Sequence, residues 1–301
     1  MGGPGSHVSR ILKASRRASP GSPRLQDLTR RCCKAWPSRG VVAAGVEVGR
    51  PIDVKSPEPP YSPPDLVGTG LRTEGVVVLA PADLAVALGE PALSSSSLQP
   101  LQSSWDDLPP DVWLKDGGRY RRRRHASFVV EGDIVARVAH RAHWQPSSYN
   151  ALHGGLIRWF EPIVDDVALA PSFLALLSGL ARVADRLRGA QPWFVEAHQF
   201  RIDTTDGIGR PTPEGAHRDG VDVVAVILVA RQRVIGGETR VFSQDGPAGI
   251  RFTLREAWTT LILDDTRVVH ESTAIQPDGV FGWRDTLVVT LRAGGFQDPP
   301  G

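Results

Sequence analysis

Thr259-Thr260-Leu261-Ile262-Leu263-Asp264-Asp265, then Val268-Val269-His270, then Arg284-Asp285-Thr286-Leu287-Val288-Val289-Thr290-Leu291-Arg292, is the stretch that decides the fold. Its apolar runs are short and rich in β-branched residues, with turn signals at Pro277, Asp278 and Gly279, so they read as buried strands. Working outward, the same signature predicts strands over 195–203, 214–219, 222–231, 236–243, 249–255, 258–265, 268–275 and 284–292. That many short strands with no helix between them suggest a double-sheet jelly roll. Upstream, Gly75 to Leu79 reads as a strand and Pro81 to Leu88 as a short helix stopped by Gly89. Residues 92–104, rich in Ser and Gln, read as a loop. Phe173, Leu176, Leu177, Leu180, Val183, Ala184 and Leu187 recur at helical spacing, which predicts a helix over 171–188 backing the sheet. The expected fold class is mainly β with supporting helices around a cupin-like jelly-roll core.

Composition divides the chain. Residues 1–68 are dominated by Gly, Pro, Ser and Arg, lack apolar periodicity and read as a disordered tail, with order beginning at Leu71. The tail has no apolar core of the secretory kind. Its Arg-rich, acid-poor start admits a transit peptide, but a flexible extension is the simpler reading. One domain is expected over 69–296, with an α/β support at 69–194 and the jelly-roll core at 195–292. Residues 1–70 carry a net charge of +6, so the remainder of this +2 chain stands at −4, which argues against nucleic acid as the main partner. No apolar run is long enough to span a membrane. Cys32 and Cys33 are adjacent and outside the expected core, so no disulfide framework is available and a reducing cytoplasm is the natural home. Nothing in the sequence sets an oligomeric state.

Chemistry concentrates in His217, Asp219 and His270. In a strand, residues two apart share a side, so His217 and Asp219 can reach one ion. Two imidazoles and a carboxylate on one face of a metal leave three positions open, as in non-haem Fe(II) oxygenases. Zinc is the chemical competitor. Arg284 opens a strand, where its guanidinium suits bidentate capture of a carboxylate. The hydroxyl of Thr286 lies on the same strand face. Arg292 is the rival, about 27 Å away in an extended strand, so one of the two serves.

Together, Pro213-Glu214-Gly215-Ala216-His217-Arg218-Asp219-Gly220-Val221-Asp222, the Gly236-Gly237-Glu238 turn, the Asp264 to His270 stretch and Arg284-Asp285-Thr286 resemble the 2-oxoglutarate/Fe(II) dioxygenase family. Arg119 to Arg123 and the Tyr149 to Gly155 segment resemble, within it, the branch of the free L-isoleucine 4-hydroxylases. The likeness spans about residues 70–295. It implies a double-stranded β-helix and iron held by His217, Asp219 and His270. It further implies 2-oxoglutarate and O2 as co-substrates, Arg284 with Thr286 on the distal carboxylate of 2-oxoglutarate, and release of succinate and CO2. Related halogenases lack the carboxylate retained here at 219, so the resemblance implies hydroxylation.

For the substrate, an amino-acid-like small molecule, the candidates are weaker. Alternate arginines in the extended run from Arg119 to Arg124 face opposite ways, and Arg122 or Arg124 is the candidate to hold a substrate carboxylate. Asn150 either hydrogen-bonds substrate or fixes its turn. Gln199, on the first barrel strand, has similar standing, and Asp222 is a candidate partner for a substrate amine. Glu238 reads as structural. Two competing functions remain at this level: the same chemistry on a carrier-bound metabolite or protein side chain, and a non-catalytic regulatory or nucleic-acid-binding protein.

Overall fold

Side-chain alternation along the strands separates two environments, a helix-covered apolar side and a polar cavity. The structure, a computed structural model, describes residues 57–300. In chain order its elements are α1 (Val67–Thr73), β1 (Val76–Leu79), α2 (Leu84–Leu88), α3 (Ser95–Leu98), β2 (Arg121–Glu131), β3 (Ile134–Arg137), α4 (Asp165–Ala168) and α5 (Pro171–Arg188). There follow β4 (Trp193–Asp203), β5 (Val223–Gln232), β6 (Val234–Gly236), β7 (Thr239–Ser243) and β8 (Gly249–Phe252). Last come β9 (Thr260–Asp264), β10 (Val268–Ser272), β11 (Ile275–Pro277) and β12 (Trp283–Ala293).

The larger sheet runs β1-β9-β5-β12-β4-β2-β3 with every neighbour antiparallel. A three-stranded sheet, β10-β7-β8, and a β11-β6 ribbon complete the core, giving the expected double-stranded β-helix. One face of the large sheet is apolar: Phe128, Val195, Ala197, Ile227, Leu287, Val289 and Leu291 join a cluster with Phe173, Leu177 and Leu180 of α5. Burying each such side chain contributes about 1.5–3 kcal/mol. A second cluster, in which Val224, Leu228 and Leu261 meet Val241, Phe252 and Val268, packs the small sheet on the large one.

Helix α5 occupies the span its periodicity predicts, with Pro171 in the first turn and Gly189 after the last. Gly89 closes α2 at φ +67°, a conformation few side chains tolerate. Other expectations need correction. Order begins before Leu71: Pro59 is buried, Ser62 N–H donates to the Val78 carbonyl at 2.7 Å, and Tyr61 bridges to Val78. Proline-rich composition suggested disorder, whereas an extended proline segment can lie against a strand. Residues 1–56, with Cys32 and Cys33, lie outside the described residues.

The 92–104 stretch is not a loop. Ser94 caps α3 with a reciprocal Ser97 box, and a 3-10 helix follows over Gln99–Trp105, burying Leu101 and Trp105. Residues 214–219 form no strand; Gly215 turns at φ +81°, and the segment touches the sheet through one His217–His270 bridge. The expected 236–243 strand is preceded by β6, because Gly236 and Gly237 both adopt positive φ and bend the chain between β6 and β7. Finally, β2 and β3 join the large sheet through β4, so 194 divides no support from core.

Candidate active site

The cavity between the sheets takes its walls from the polar faces of β2, β4 and β12, from β10, and from the loops around 143–158 and 211–221. It encloses about 120 Å³. Register decides which side chains reach it. Arg121, Arg123 and His125 of β2 pair across to Ile202, Phe200 and His198 of β4, and paired residues share a face.

His217, Asp219 and His270 come together in this cavity, each offering one ligand atom within 4.8 Å of the others. Two backbone hydrogen bonds, His217 N–H to the His270 carbonyl at 3.1 Å and the reverse at 2.9 Å, fasten the histidines side by side. His217 Nδ1 lies 2.9 Å from the Gly215 carbonyl, which makes Nδ1 the donor and leaves Nε2 bearing the lone pair. Asp265, buried beneath the loop, accepts backbone N–H bonds from Asp219, Gly220 and Val221. Burial and the nearby Asp219 charge push its carboxyl up to about 6. Gly220 is required here: it sits at φ +77°, and a Cβ would lie 2.4 Å from the Tyr149 ring.

Arg284 and Thr286 project from β12 into the same cavity. Arg284 is 2% exposed, and among the described residues its Nε and Nη2 have no hydrogen-bond partner. Arg292 does not reach the cavity, bonding instead to the Gly295 and Phe296 carbonyls. The candidate substrate residues divide. Asn150 lines the cavity, donating to Gln145 and accepting from His153 N–H, so it also fixes its turn. Arg122 and Arg124 have the wrong parity: paired with Arg201 and Gln199, they occupy the outer face. There Arg122 lies 3.6 Å from Asp203, and Arg124 donates to the Pro162 and Asp107 carbonyls. Gln199 shares that face and bonds Ser104. Asp222 accepts from Ala293 N–H and lies 3.5 Å from Arg188, outside the cavity.

In their place stand residues for which the sequence suggested no substrate role. Arg121 and Arg123 share Asp111, at 2.7 and 3.7 Å, and Arg123 stacks on Phe160 and Phe200. Arg158, 2% exposed, donates to Gln145 Oε1, while Gln145 Nε2 donates to Asp219 Oδ1 at 3.0 Å. Burial pushes both Arg158 and Arg284 down to about 10, which leaves them charged near neutrality. The alternation Glu196-x-His198 inside a legible strand could have flagged that polar face. The parity of the arginine run could not be read without the β2–β4 register.

A second group, His125, His143, Glu196 and His198, also offers four atoms within 4.8 Å. Its bonds are already made internally. Glu196 receives His125 Nε2 and His143 Nδ1, each at 3.1 Å, and Arg123 lies 2.8 Å from His198 Nδ1. A guanidinium donating to that ring disfavours a cation beside it. Burial, against the pull of Glu196, holds His125 below its ordinary range and His143 at about 4.

The fold and this cavity define a class, and comparison with known proteins agrees. The family model described as 2OG-Fe dioxygenase matches residues 102–290, and the chain belongs to that family. It is accordingly a dioxygenase that uses Fe(II), 2-oxoglutarate and O2. Among solved structures it is similar to a bsmA homolog from Methylobium petroleophilum PM1, at 49% identity over 80% of this chain and 97% of that one, with a TM-score of 0.75. IDO from Bacillus thuringiensis shares the fold at 18% identity, covering 78% of this chain and all of that one, with a TM-score of 0.61. The Fe(II)/(alpha)ketoglutarate-dependent dioxygenase TqaL does so at 19% identity, covering 78% and 90%, with a TM-score of 0.59. Comparison with curated proteins found no match. No helix among the described residues is long and apolar enough to cross a membrane.

Proposed function

We propose that this dioxygenase hydroxylates a small zwitterion, a free L-amino acid or close derivative, with Fe(II) on His217, Asp219 and His270. The donor set fits the ion: two imidazoles and a carboxylate converge, His217 presents a free Nε2, and among the described residues no fourth ligand joins the group. Arg284, with Thr286 on the same strand face, takes the distal carboxylate of 2-oxoglutarate. When bound, the iron with 2-oxoglutarate and O2 supplies oxidative decarboxylation to succinate and CO2 and delivers an oxygen atom to a substrate C–H bond. This chain's residues bind, orient and exclude water around that chemistry.

The single observation that carries the substrate class is a pair of guanidiniums. Among the described residues lining the cavity, Arg284 and Arg158 alone among the arginines have no carboxylate within 4 Å. Carboxylates act on both only through space, so each guanidinium keeps a seat for an anion in contact. One anion is the co-substrate; the other is a carboxylate on the substrate, met by Arg158. Gln145, bonded to both Arg158 and Asp219, holds the two ends of the site in register. A single domain that begins before Leu71 and a reducing, cytoplasmic setting suit this reading. No nucleic-acid partner is proposed, because Arg121 and Arg123 are turned into the cavity.

The test is succinate production with Fe(II), 2-oxoglutarate, ascorbate and each of the twenty amino acids. Substrate-dependent succinate is expected for a subset, with one oxygen added to the product. Arg284→Met should raise the KM for 2-oxoglutarate by roughly ten- to hundred-fold through loss of a charge-assisted bond. No stimulation by any amino acid would remove the amino-acid reading, while an unchanged KM in Arg284→Met would remove that residue's assignment.

A further inference from the structure

Glu214 stands three residues before His217, on the loop whose turn at Gly215 swings its side chain into the cavity. Nine-tenths of that side chain is buried. Among the described residues its Oε2 has no hydrogen-bond partner, and its Oε1 has one ionic neighbour, His217 Nε2 at 3.7 Å. Once His217 Nε2 serves a metal, that neighbour is spoken for. Nor is Glu214 a further metal ligand by position, since the convergent group contains His217, Asp219 and His270 without it. The other carboxylates in the lining are occupied: Glu196 by His125, His143 and Arg141, and Asp219 by Gln145.

A largely buried carboxylate in this state calls for a cationic partner, because burying it alone is strongly unfavourable. No described residue supplies that partner, which points to a cation on a bound molecule. Arg158 feels the Glu214 charge through space, but among the described residues only His217 brings a cationic group within 4 Å of that carboxylate. The cavity therefore carries two complementary vacant charges beyond the co-substrate's seat, a guanidinium at Arg158 and a carboxylate at Glu214. An α-amino acid presents the matching pair on one carbon.

We propose that Glu214 receives the ammonium group of the substrate, opposite the Arg158 seat for its carboxylate, and so selects free amino acids over acids that lack the amine. This rests on the amino-acid reading above and deepens it. Standing against His217, Glu214 sets where the α-carbon lies relative to the metal. It thereby governs which side-chain carbon faces the oxidant.

The amino acid giving the most succinate in the twenty-member panel is the probe, alongside the acid of the same skeleton without its amine. Both are titrated calorimetrically into anaerobic enzyme loaded with Fe(II) and 2-oxoglutarate, as wild type and as Glu214→Gln. Wild type should bind the amino acid roughly ten- to hundred-fold more tightly than the amine-free acid, the range of a charge-assisted bond. Glu214→Gln should erase that preference, weakening the amino acid while leaving the amine-free acid and 2-oxoglutarate unchanged. The unchanged 2-oxoglutarate affinity also reports an intact fold. Preference retained in Glu214→Gln overturns the role of Glu214 and leaves the amino-acid reading standing. A panel with no active amino acid overturns that reading and this assignment with it.

Discussion

At Gln145 one amide serves three neighbours: its Nε2 donates to Asp219, while its Oε1 accepts from Arg158 and Asn150. Removing it frees Asp219 Oδ1 to rotate and strands a buried guanidinium. Gln145→Leu, close in volume, should therefore weaken metal binding by roughly ten- to hundred-fold, the usual effect of losing a partner behind a ligand. Calorimetric titration with Co(II) measures it, and affinity equal to wild type would show that Asp219 needs no such support. Residue-scale legibility was uneven for a related reason. That His217, Asp219, His270, Arg284 and Thr286 share one cavity was legible, because residue type, strand context and the family resemblance all point to them. Arg122 and Arg124 were chosen over Arg121 and Arg123 because parity in an extended run is invisible until a partner strand fixes the register. Glu214, Gln145 and Arg158 lie on loops, where no periodicity reports direction.

Helix α5 shows what periodicity can and cannot deliver. Its apolar stripe gives the boundaries and the buried face, but not what packs against it. Gly179, in its middle, is buried, and a Cβ there would lie 2.7 Å from Leu88 Cβ and 3.2 Å from Glu90 Cγ. Glycine in a helix interior ordinarily gives up about 0.5–1 kcal/mol to alanine. Here the sign reverses, since Leu88 Cβ is anchored to the α2 backbone and cannot swing aside. Gly179→Ala should destabilise by about 1–3 kcal/mol, the cost of overpacking. Urea unfolding decides, and any gain in stability would mean that α2 yields. The strands from 193 onward were legible through their β-branched runs. Strand β2 was not, because Arg121 to Arg124 place charge on both faces of a strand that propensity alone would reject.

Across the molecule the large sheet separates a dry, helix-backed side from a cavity holding buried ionisable groups, and that division makes stability depend on acid. His125, His143 and His198 are buried, and burial holds all three below the ordinary histidine range, His143 at about 4. Glu196 stays ionised: burial pushes its carboxyl up, but the two histidine N–H groups outweigh that and hold it below its usual range. Unfolded, each histidine returns to about 6.5. For His143 the unfolded chain therefore binds more protons between that value and about 4, so its contribution to stability rises with pH across this window and is lost as pH falls, and His125 and His198 act in the same direction. Each histidine contributes up to about 1.4 kcal/mol per pH unit within it. Urea midpoints for the metal-free protein at pH 7.5, 6.5 and 5.5 should fall progressively. His143→Gln should flatten the slope by about one proton if its amide keeps the bond to Glu196. Asp265 and Asp285, pushed up to about 6 by burial, take protons in the folded state and blunt this slope, so the deciding result is the variant: a slope unaltered in His143→Gln would mean that the histidines carry charge in the folded state. The cavity would then hold up to three more positive charges beside Arg123, and its balance of seats for an acid and an amine would no longer stand.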